Sequence, residues 1–298
     1  MPNVKANGIQ IEYDTFGNRG SRPLLLVMGL GTQMIAWDED FCQQLAEQGH
    51  YVIRFDNRDV GLSTKFEGAG LPNVLKAMAA AAKGEEVRAP YTLDDMAEDT
   101  VGLLEALGLA TAHVCGASMG GMIGQTLAIR HPSRLQSLIS IMSSTGNPKL
   151  PPAQPEAMKA LMKPPPAERA AFIEHMVQTW RTIAGRGFPF DEDRMRAQMA
   201  RAFDRCFCPA GAARQMMAII AHGNRKPALA GVRTPTLVIH GADDPLIPVA
   251  AGRDTAEAIP GAELLILEGM GHDLPPALWP RLVDAIAGHT QKAEKFKG

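Results

Sequence analysis

Short apolar strands alternate with helical segments near both ends of this chain, and that alternation limits its fold more than any other feature. Leu24–Met28 and Tyr51–Phe55 are largely apolar and of strand length, with a helical pattern ending at Gly49 between them. Ala112–Cys115 and Thr236–His240 have the same character. Apolar runs without polar alternation are typical of strands covered by helices on both faces. The alternation predicts a parallel α/β sheet with right-handed crossovers.

The middle of the chain lacks this alternation. Between residues 146 and 231 there is no convincing strand, and proline-rich stretches separate helical segments rich in Ala, Met and Arg. We therefore predict an α/β core made of residues 1–145 and 232–298. Residues 146–231, called the insert below, are predicted to form a helical cap or lid.

Composition excludes several other classes of protein. The chain has 298 residues, 46% of them hydrophobic and 21% charged, which is the balance of a globular protein. A net charge of −2 gives no electrostatic reason to bind nucleic acid or an anionic membrane. Four cysteines are too few for a disulfide scaffold, and we assign no role to Cys206 and Cys208. Without a targeting or membrane-spanning segment in the sequence, we expect a soluble, cytoplasmic protein.

A Gly-x-Ser-x-Gly pentapeptide, GASMG at residues 116–120, follows one predicted strand and begins a predicted helix. A serine at such a sharp turn sits in strained backbone, and the flanking glycines let neighbouring chain pass without a clash. The pentapeptide alone is a weak signal, but its strand–helix context strengthens it. We predict that Ser118 is a nucleophile. The alternative is a glycine-rich turn with an incidental serine.

A nucleophilic serine needs a base, and the base needs an acid that orients it. His272 and Asp244 each follow a predicted strand, at the edge of the sheet where Ser118 is expected. We predict His272 as the base and Asp244, in preference to Asp243, as the acid. His240 ends a strand and is expected to pack or hydrogen-bond instead. The other histidines begin strands, end a helix or lie in the insert or the tail: His50, His113, His131, His175, His222 and His289.

Backbone N–H groups must stabilise the oxyanion that attack by a serine creates. One is expected from Met119, the residue after the nucleophile. The other is expected from Leu30, in the glycine-rich loop after Leu24–Met28. Gly29 and Gly31 are the next candidates for this donor, and we expect both to be substrate-binding residues. The alternative is a loop that only connects. Dinucleotide-binding and P-loop glycine patterns are missing from this loop, and we expect neither a metal nor an organic cofactor.

These motifs together resemble the serine-dependent branch of the α/β-hydrolase superfamily with a helical cap. The order Ser118, Asp244, His272 is the order of that superfamily. Asp56-Asn57-Arg58-Asp59 and the chain length are similar to those of aclacinomycin methylesterase-like enzymes and bacterial carboxylesterases. The resemblance implies a mostly parallel eight-stranded sheet flanked by helices. One departure is Met28-Gly29, where many members carry His-Gly; because the oxyanion donors are backbone groups, the resemblance still implies an oxyanion hole at this loop.

We therefore expect a carboxylic ester hydrolase that acts on small to medium apolar esters through an acyl-enzyme. Proline iminopeptidases, carbon–carbon bond hydrolases and perhydrolases share the serine triad, so they remain open alternatives. A non-catalytic protein that binds small molecules is a further alternative. An iminopeptidase would need carboxylates near the cap, and six of the insert's carboxylates are candidates: Glu168, Glu174, Asp191, Glu192, Asp193 and Asp204.

Three other features have both a structural and a functional interpretation. In Asp56–Ser63, we expect the charged side chains to fix their loop through backbone hydrogen bonds rather than form a charged site. Trp37 is expected to pack rather than to bind substrate. The insert's methionines can fill a core or form an adaptable apolar roof over the substrate. They are Met158, Met162, Met176, Met195, Met199, Met216 and Met217.

Overall fold

The computed structural model describes residues 2–295, at whose centre lies an eight-stranded sheet. The strands are β1 (Asn3–Ala6), β2 (Ile9–Phe16), β3 (Arg22–Val27), β4 (His50–Phe55), β5 (Ala112–Ala117), β6 (Leu135–Ile141), β7 (Thr236–Gly241) and β8 (Glu263–Leu267). Their order across the sheet is β1-β2-β4-β3-β5-β6-β7-β8. β2 pairs antiparallel with β1 and β4, whereas β3 to β8 pair in parallel. The predicted mostly parallel, eight-stranded α/β fold is confirmed.

The central strands are buried along their whole length, which explains their lack of polar alternation. Every residue of β4, β5 and β7 is buried. Leu25 and Val27 belong to one apolar cluster, and Leu24 and Leu26 belong to another. Successive side chains of a strand point to opposite faces, so β3 contributes to an apolar core on each side of the sheet.

Eleven α-helices accompany the sheet within residues 2–295. They are α1 (Glu39–Glu47), α2 (Val74–Ala82), α3 (Leu93–Ala106), α4 (Met119–Arg130), α5 (Pro155–Met162), α6 (Arg169–Ile183), α7 (Glu192–Arg205), α8 (Pro209–His222), α9 (Lys226–Leu229), α10 (Val249–Ala258) and α11 (Trp279–Lys295). The Thr92 and Asp95 side chains form a capping box at the start of α3, as their spacing indicates. None of these helices has both the length and the apolar character needed to cross a membrane.

Helices α5 to α9 lie within the insert, and no strand forms between β6 and β7. The central helices α5 to α8 contribute side chains to a cavity at the carboxyl edge of the sheet. The α/β rhythm resumes at β7, where the sequence predicts it. The insert therefore lies above the loops that follow β3, β5 and β8.

Candidate active site

Ser118 stands between β5 and α4, in backbone that an ordinary side chain rarely adopts. Its φ is 55° and its ψ is −119°. A Cβ at Gly116 would lie 2.1 Å from the carbonyl oxygen of Gly120, and one at Gly120 would lie 2.0 Å from that of Val27. Both glycines are therefore required by close approach of the chain. The turn exposes the Ser118 hydroxyl to the cavity.

The His272 imidazole bridges the two other predicted residues. Its Nδ1 lies 2.8 Å from Asp244 Oδ2 and its Nε2 lies 3.0 Å from Ser118 Oγ. A carboxylate only accepts hydrogen bonds, so Nδ1–H donates to Asp244 and Nε2 is left to accept from the serine hydroxyl. Both His272 and Asp244 are buried. The structure thus brings the three side chains into one chain of hydrogen bonds.

Backbone amides hold Asp244 in place. Its Oδ1 accepts from the N–H groups of Leu246 and Ile247 at 2.9 and 2.8 Å, which leaves Oδ2 for His272. Of the two adjacent carboxylates, Asp244 contacts the imidazole. This carboxylate is therefore fixed before any substrate arrives.

His240 lies behind this carboxylate. Its Nε2 is 2.8 Å from the carbonyl oxygen of Ile247 and 3.7 Å from Asp244 Oδ2. Burial lowers the pKa of His240, so the ring is neutral at neutral pH. A neutral ring that bonds to a carbonyl agrees with the packed, hydrogen-bonded role expected for it.

Two backbone N–H groups near Ser118 are available to an anion. Met119 is the first residue of α4, and the first N–H groups of a helix have no acceptor within it. Within residues 2–295 no acceptor bonds to the N–H of Leu30 either. A Cβ at Gly29 would meet that of Ser118 at 3.1 Å, so the loop can approach the serine because this residue is glycine. The geometry suits the two donors named from the sequence.

Gly31, expected beside them as a substrate-binding residue, faces the insert instead. Its N–H donates to Gln215 Oε1 at 2.7 Å, and a Cβ on Gly31 would lie 2.9 Å from that of Ala212. Gly31 does not border the cavity that contains Ser118. Gln215 also donates to the carbonyl of Arg58. Its side chain therefore braces the loop that carries Leu30.

A largely apolar cavity of about 340 Å³ contains Ser118 and His272 in its wall. Trp37 borders it, but is fully buried and packs against Phe41 with ring centroids 5.9 Å apart. Four of the insert's seven methionines line this cavity: Met158, Met176, Met195 and Met216. The other three do not: Met162, Met199 and Met217. The first four methionines fit the interpretation as an apolar roof, whereas Met199 and Met217 are buried away from the cavity.

Charged side chains in the cavity wall have partners within the protein: two form an ion pair, and another caps a helix. Arg194 Nη2 lies 2.5 Å from Asp38 Oδ2, and its guanidinium is 4.5 Å from the ring centre of Trp279. Asp191 is the one member of the six candidate insert carboxylates that lines the cavity, and it caps α7 by accepting from the N–H of Arg194. The structure does not gather these carboxylates into an amine-binding site.

The insert contacts the loop of His272 directly. The His272 N–H donates to the carbonyl of Ile183 at 2.8 Å. Asp273 Oδ1 accepts from the N–H groups of Gly185 and Gly271, at 3.2 and 3.1 Å. Burial raises the pKa of Asp273, against the lowering effect of these two bonds. The loop is therefore positioned partly by backbone of the insert, which sequence reasoning missed.

A buried ion pair joins α8 to the core. Arg214 Nε and Nη2 lie 2.7 Å from Asp59 Oδ2 and Oδ1, and both residues are buried. Asp59 was expected to bond to backbone of its own loop. It does accept from the N–H of Phe66, but it also pairs with a residue 155 positions away. Arg58 similarly pairs with Asp99. For these two residues the local expectation was incomplete, because their partners lie on other elements.

Asp56 follows the expectation more closely, since its carboxylate accepts from the N–H groups of Met34 and Leu62, each at 2.8 Å. Asp56 Oδ2 also lies 2.6 Å from Arg205 Nη1 of α7.

Residues 2–295 contain no group of three or more metal-ligating side chains arranged for an ion.

Comparisons with known proteins agree with this architecture. The model of the alpha/beta hydrolase fold family matches residues 22–275. The chain belongs to the α/β hydrolase fold family. The rhodomycin D methylesterase DauP of Streptomyces sp. strain C5 is 31% identical, over 97% of this chain and 98% of its own. The rhodomycin D methylesterase DnrP of Streptomyces peucetius is 30% identical, over 93% of each chain. The resemblance to the methylesterase group is confirmed, and the chain is a hydrolase.

Solved structures of low sequence identity share the fold. The meta-cleavage product hydrolase CumD of Pseudomonas fluorescens IP01, a mutant form complexed with acetates, superposes with a TM-score of 0.78 at 18% identity, covering 98% of each chain. The enol-lactonase of Burkholderia xenovorans LB400 superposes with a TM-score of 0.69 at 24% identity, covering 99% of this chain and all of its own. These likenesses show the architecture alone.

Proposed function

We propose that this protein is a carboxylic ester hydrolase with Ser118, His272 and Asp244 as its catalytic triad. The observation that carries the proposal is the unbroken chain of hydrogen bonds from Ser118 Oγ through His272 to Asp244, in the wall of a largely apolar cavity. The methylesterase names of two full-length relatives support an ester as the substrate.

The first half of the reaction forms an acyl-enzyme. Ser118 Oγ attacks the ester carbonyl carbon while His272 Nε2 takes its proton. Asp244 holds the ring and stabilises the imidazolium that results. The carbonyl oxygen becomes an oxyanion that the N–H groups of Leu30 and Met119 stabilise. His272 then gives its proton to the departing alcohol, and the acyl group stays on Ser118.

The second half repeats these steps with water. His272 takes a proton from a water molecule, whose oxygen attacks the acyl carbon. A second oxyanion occupies the same two N–H groups and then collapses, so that the carboxylic acid leaves and Ser118 regains its proton from His272. Every proton passes through His272 Nε2, so the ring must stay within hydrogen-bond reach of Ser118 throughout.

The cavity supports a small or medium apolar ester as the substrate. Its methionines are unbranched and flexible, so they can adapt to several acyl or aromatic groups. We propose residues 1–145 and 232–298 as the catalytic core, with the insert at 146–231 as the cap that closes the cavity. No step requires a metal or an organic cofactor.

Hydrolysis of p-nitrophenyl esters, measured beside fluorophosphonate labelling, tests the proposal. We expect Ser118→Ala to lose both turnover and labelling while unfolding at the temperature of the unmodified protein. The exposed serine Ser133 provides the matched control, because Ser133→Ala makes the same chemical change away from the cavity. Labelling of Ser118 without ester turnover would instead indicate an amide or carbon–carbon substrate. Turnover that survives in Ser118→Ala would overturn the proposal.

A further inference from the structure

A second cavity, of about 450 Å³ and more open to solvent than the first, lies between α2, α4 and α8. Its wall includes Met78 and Ala81 of α2 and Ile220 of α8. Among residues 2–295, only Met122 and Ile219 belong to the walls of both this cavity and the catalytic cavity. These two residues therefore mark the place where the cavities adjoin.

One face of α8 runs from the first cavity into the second. Met216 and Ile219 line the catalytic cavity, while Ile219, Ile220 and Gly223 line the other. Met216, Ile219 and Ile220 have the spacing i, i+3 and i+4, which places them on one side of α8, and Gly223 follows the last residue of the helix. From Met216 to His222 the helix rises about 9 Å. The stripe is thus long enough to guide an extended chain past Ile219.

Met122 of α4 lies on the other side of the boundary that it forms with Ile219 between the two cavities. It lies on α4 one turn after Ser118, a rise of about 6 Å along the helix axis. Its side chain is 7% exposed and packs in the apolar core. A methionine has no branch at Cβ and several rotatable bonds, so it fills a gap without being rigid.

The acyl chain is the part of an ester that can reach this boundary. In the proposed mechanism the leaving alcohol must lie beside His272 Nε2, which protonates it. The acyl group remains on Ser118, at the start of the helix that carries Met122. His272 is held by Ser118, Asp244 and Ile183, none of which belongs to the boundary.

We infer that Met122 and Ile219 form a partition that limits the length of the acyl chain. This inference rests on the proposed function and adds a substrate limit to it. With the partition intact, short and medium acyl chains are confined to the catalytic cavity. Removal of either side chain joins the two cavities, and the distal methylenes of a longer chain then enter the second one.

The test is the ratio of kcat/KM for p-nitrophenyl dodecanoate to that for the butanoate, below the concentrations at which either ester aggregates. We expect Met122→Ala to raise this ratio by about tenfold or more, since each correctly placed methylene in an apolar pocket contributes about that factor. Ile219→Ala is the second variant, in case loss of the buried Met122 side chain prevents folding. Met158→Ala is the matched control, because Met158 lines the catalytic cavity alone.

Filling the second cavity gives the sharpest arm of the test. Met78 lines that cavity and not the catalytic one, so Met78→Trp should leave the wild-type ratio unchanged. The same change should cancel the gain of Met122→Ala or Ile219→Ala. The partition is wrong if neither alanine variant changes the ratio, if Met158→Ala raises it equally, or if Met78→Trp leaves the gain intact.

Failure of the proposed function gives a different result. In that case the wild-type protein hydrolyses none of the esters and Ser118 is not labelled by a fluorophosphonate, which removes the partition as well. If Ser118 is labelled without ester turnover, the labelling rates of short-chain and long-chain alkyl fluorophosphonates replace kcat/KM. The same variants must then change the ratio of these rates.

Discussion

Replacement of Arg214 by methionine should destabilise the fold strongly, because it leaves the Asp59 carboxylate buried without its cation. The pair is bidentate, with both N–O distances 2.7 Å, and the side chains are 2% and 0% exposed. Removing one partner of a buried pair costs about 3–5 kcal/mol, whereas an exposed pair contributes about 0–1 kcal/mol. We therefore expect the free energy of unfolding at pH 7 to fall by about 3–5 kcal/mol.

The assay is thermal and urea unfolding at several pH values. With an unfolding entropy of about 2.1 cal/mol/K per residue, 3–5 kcal/mol corresponds to about 5–8 °C in the midpoint. Arg169→Met is the matched control, because its pair with Asp204 has the same two distances but lies at the surface. That variant should change the midpoint little.

The pH dependence has a definite sign. Burial alone would raise the pKa of Asp59, but hydrogen bonds from Arg214, the N–H of Phe66 and Tyr91 outweigh it and leave the pKa below its ordinary value. A lowered pKa stabilises the fold at neutral pH, and that stabilisation is lost as the pH falls through the folded-state pKa. The difference between wild type and Arg214→Met should therefore shrink in acid. A loss below about 1 kcal/mol at pH 7, the surface value, would refute the reasoning.

Three further predictions concern the active site and a buried thiol. In Gly185→Ala the new Cβ would lie 2.1 Å from the carbonyl oxygen of Gly269, so the loop of His272 must shift. We expect kcat to fall about 100-fold with little change in KM. Asp244→Asn should keep the fold and lower kcat about 10⁴-fold, because the ring of His272 loses its required tautomer. Burial raises the pKa of Cys42 to about 12, so a thiol reagent should modify Cys42 only after unfolding, as peptide mapping would reveal.

Each of these predictions has a result that would contradict it. Wild-type kcat in Gly185→Ala would mean that the insert does not position the His272 loop. Full activity in Asp244→Asn would separate this carboxylate from the mechanism. Rapid modification of Cys42 in the folded protein would show that its surroundings open readily.

Local signals were sufficient for most of the fold. The central strands could be predicted because burial on both faces removes polar residues from them, and α3 because its capping box lies within four residues. Helix α2 was missed, since its alanine-rich sequence has only Ala77 buried and gives no clear apolar stripe. At the other end of the described chain, α11 continues to Lys295, and Ala293 near its end is still buried.

Residues of the candidate site could be predicted where the strand just before them in the sequence determines their position. Ser118, Asp244 and His272 each follow a strand, and parallel strands bring such loops together at one edge. Gln215 and Asp273 were not predicted as bracing residues, because their partners, Gly31 and Gly185, are 184 and 88 residues away. A single sequence contains no signal for such distant pairs.

The most direct test of the triad is the rate at which a fluorophosphonate reacts with the protein, followed by intact-mass spectrometry and peptide mapping. We predict one adduct, on Ser118, that is absent from Ser118→Ala and forms far more slowly in His272→Ala, because the serine then lacks its base. An adduct on another residue, or an equal rate in His272→Ala, would contradict the proposal that His272 activates Ser118.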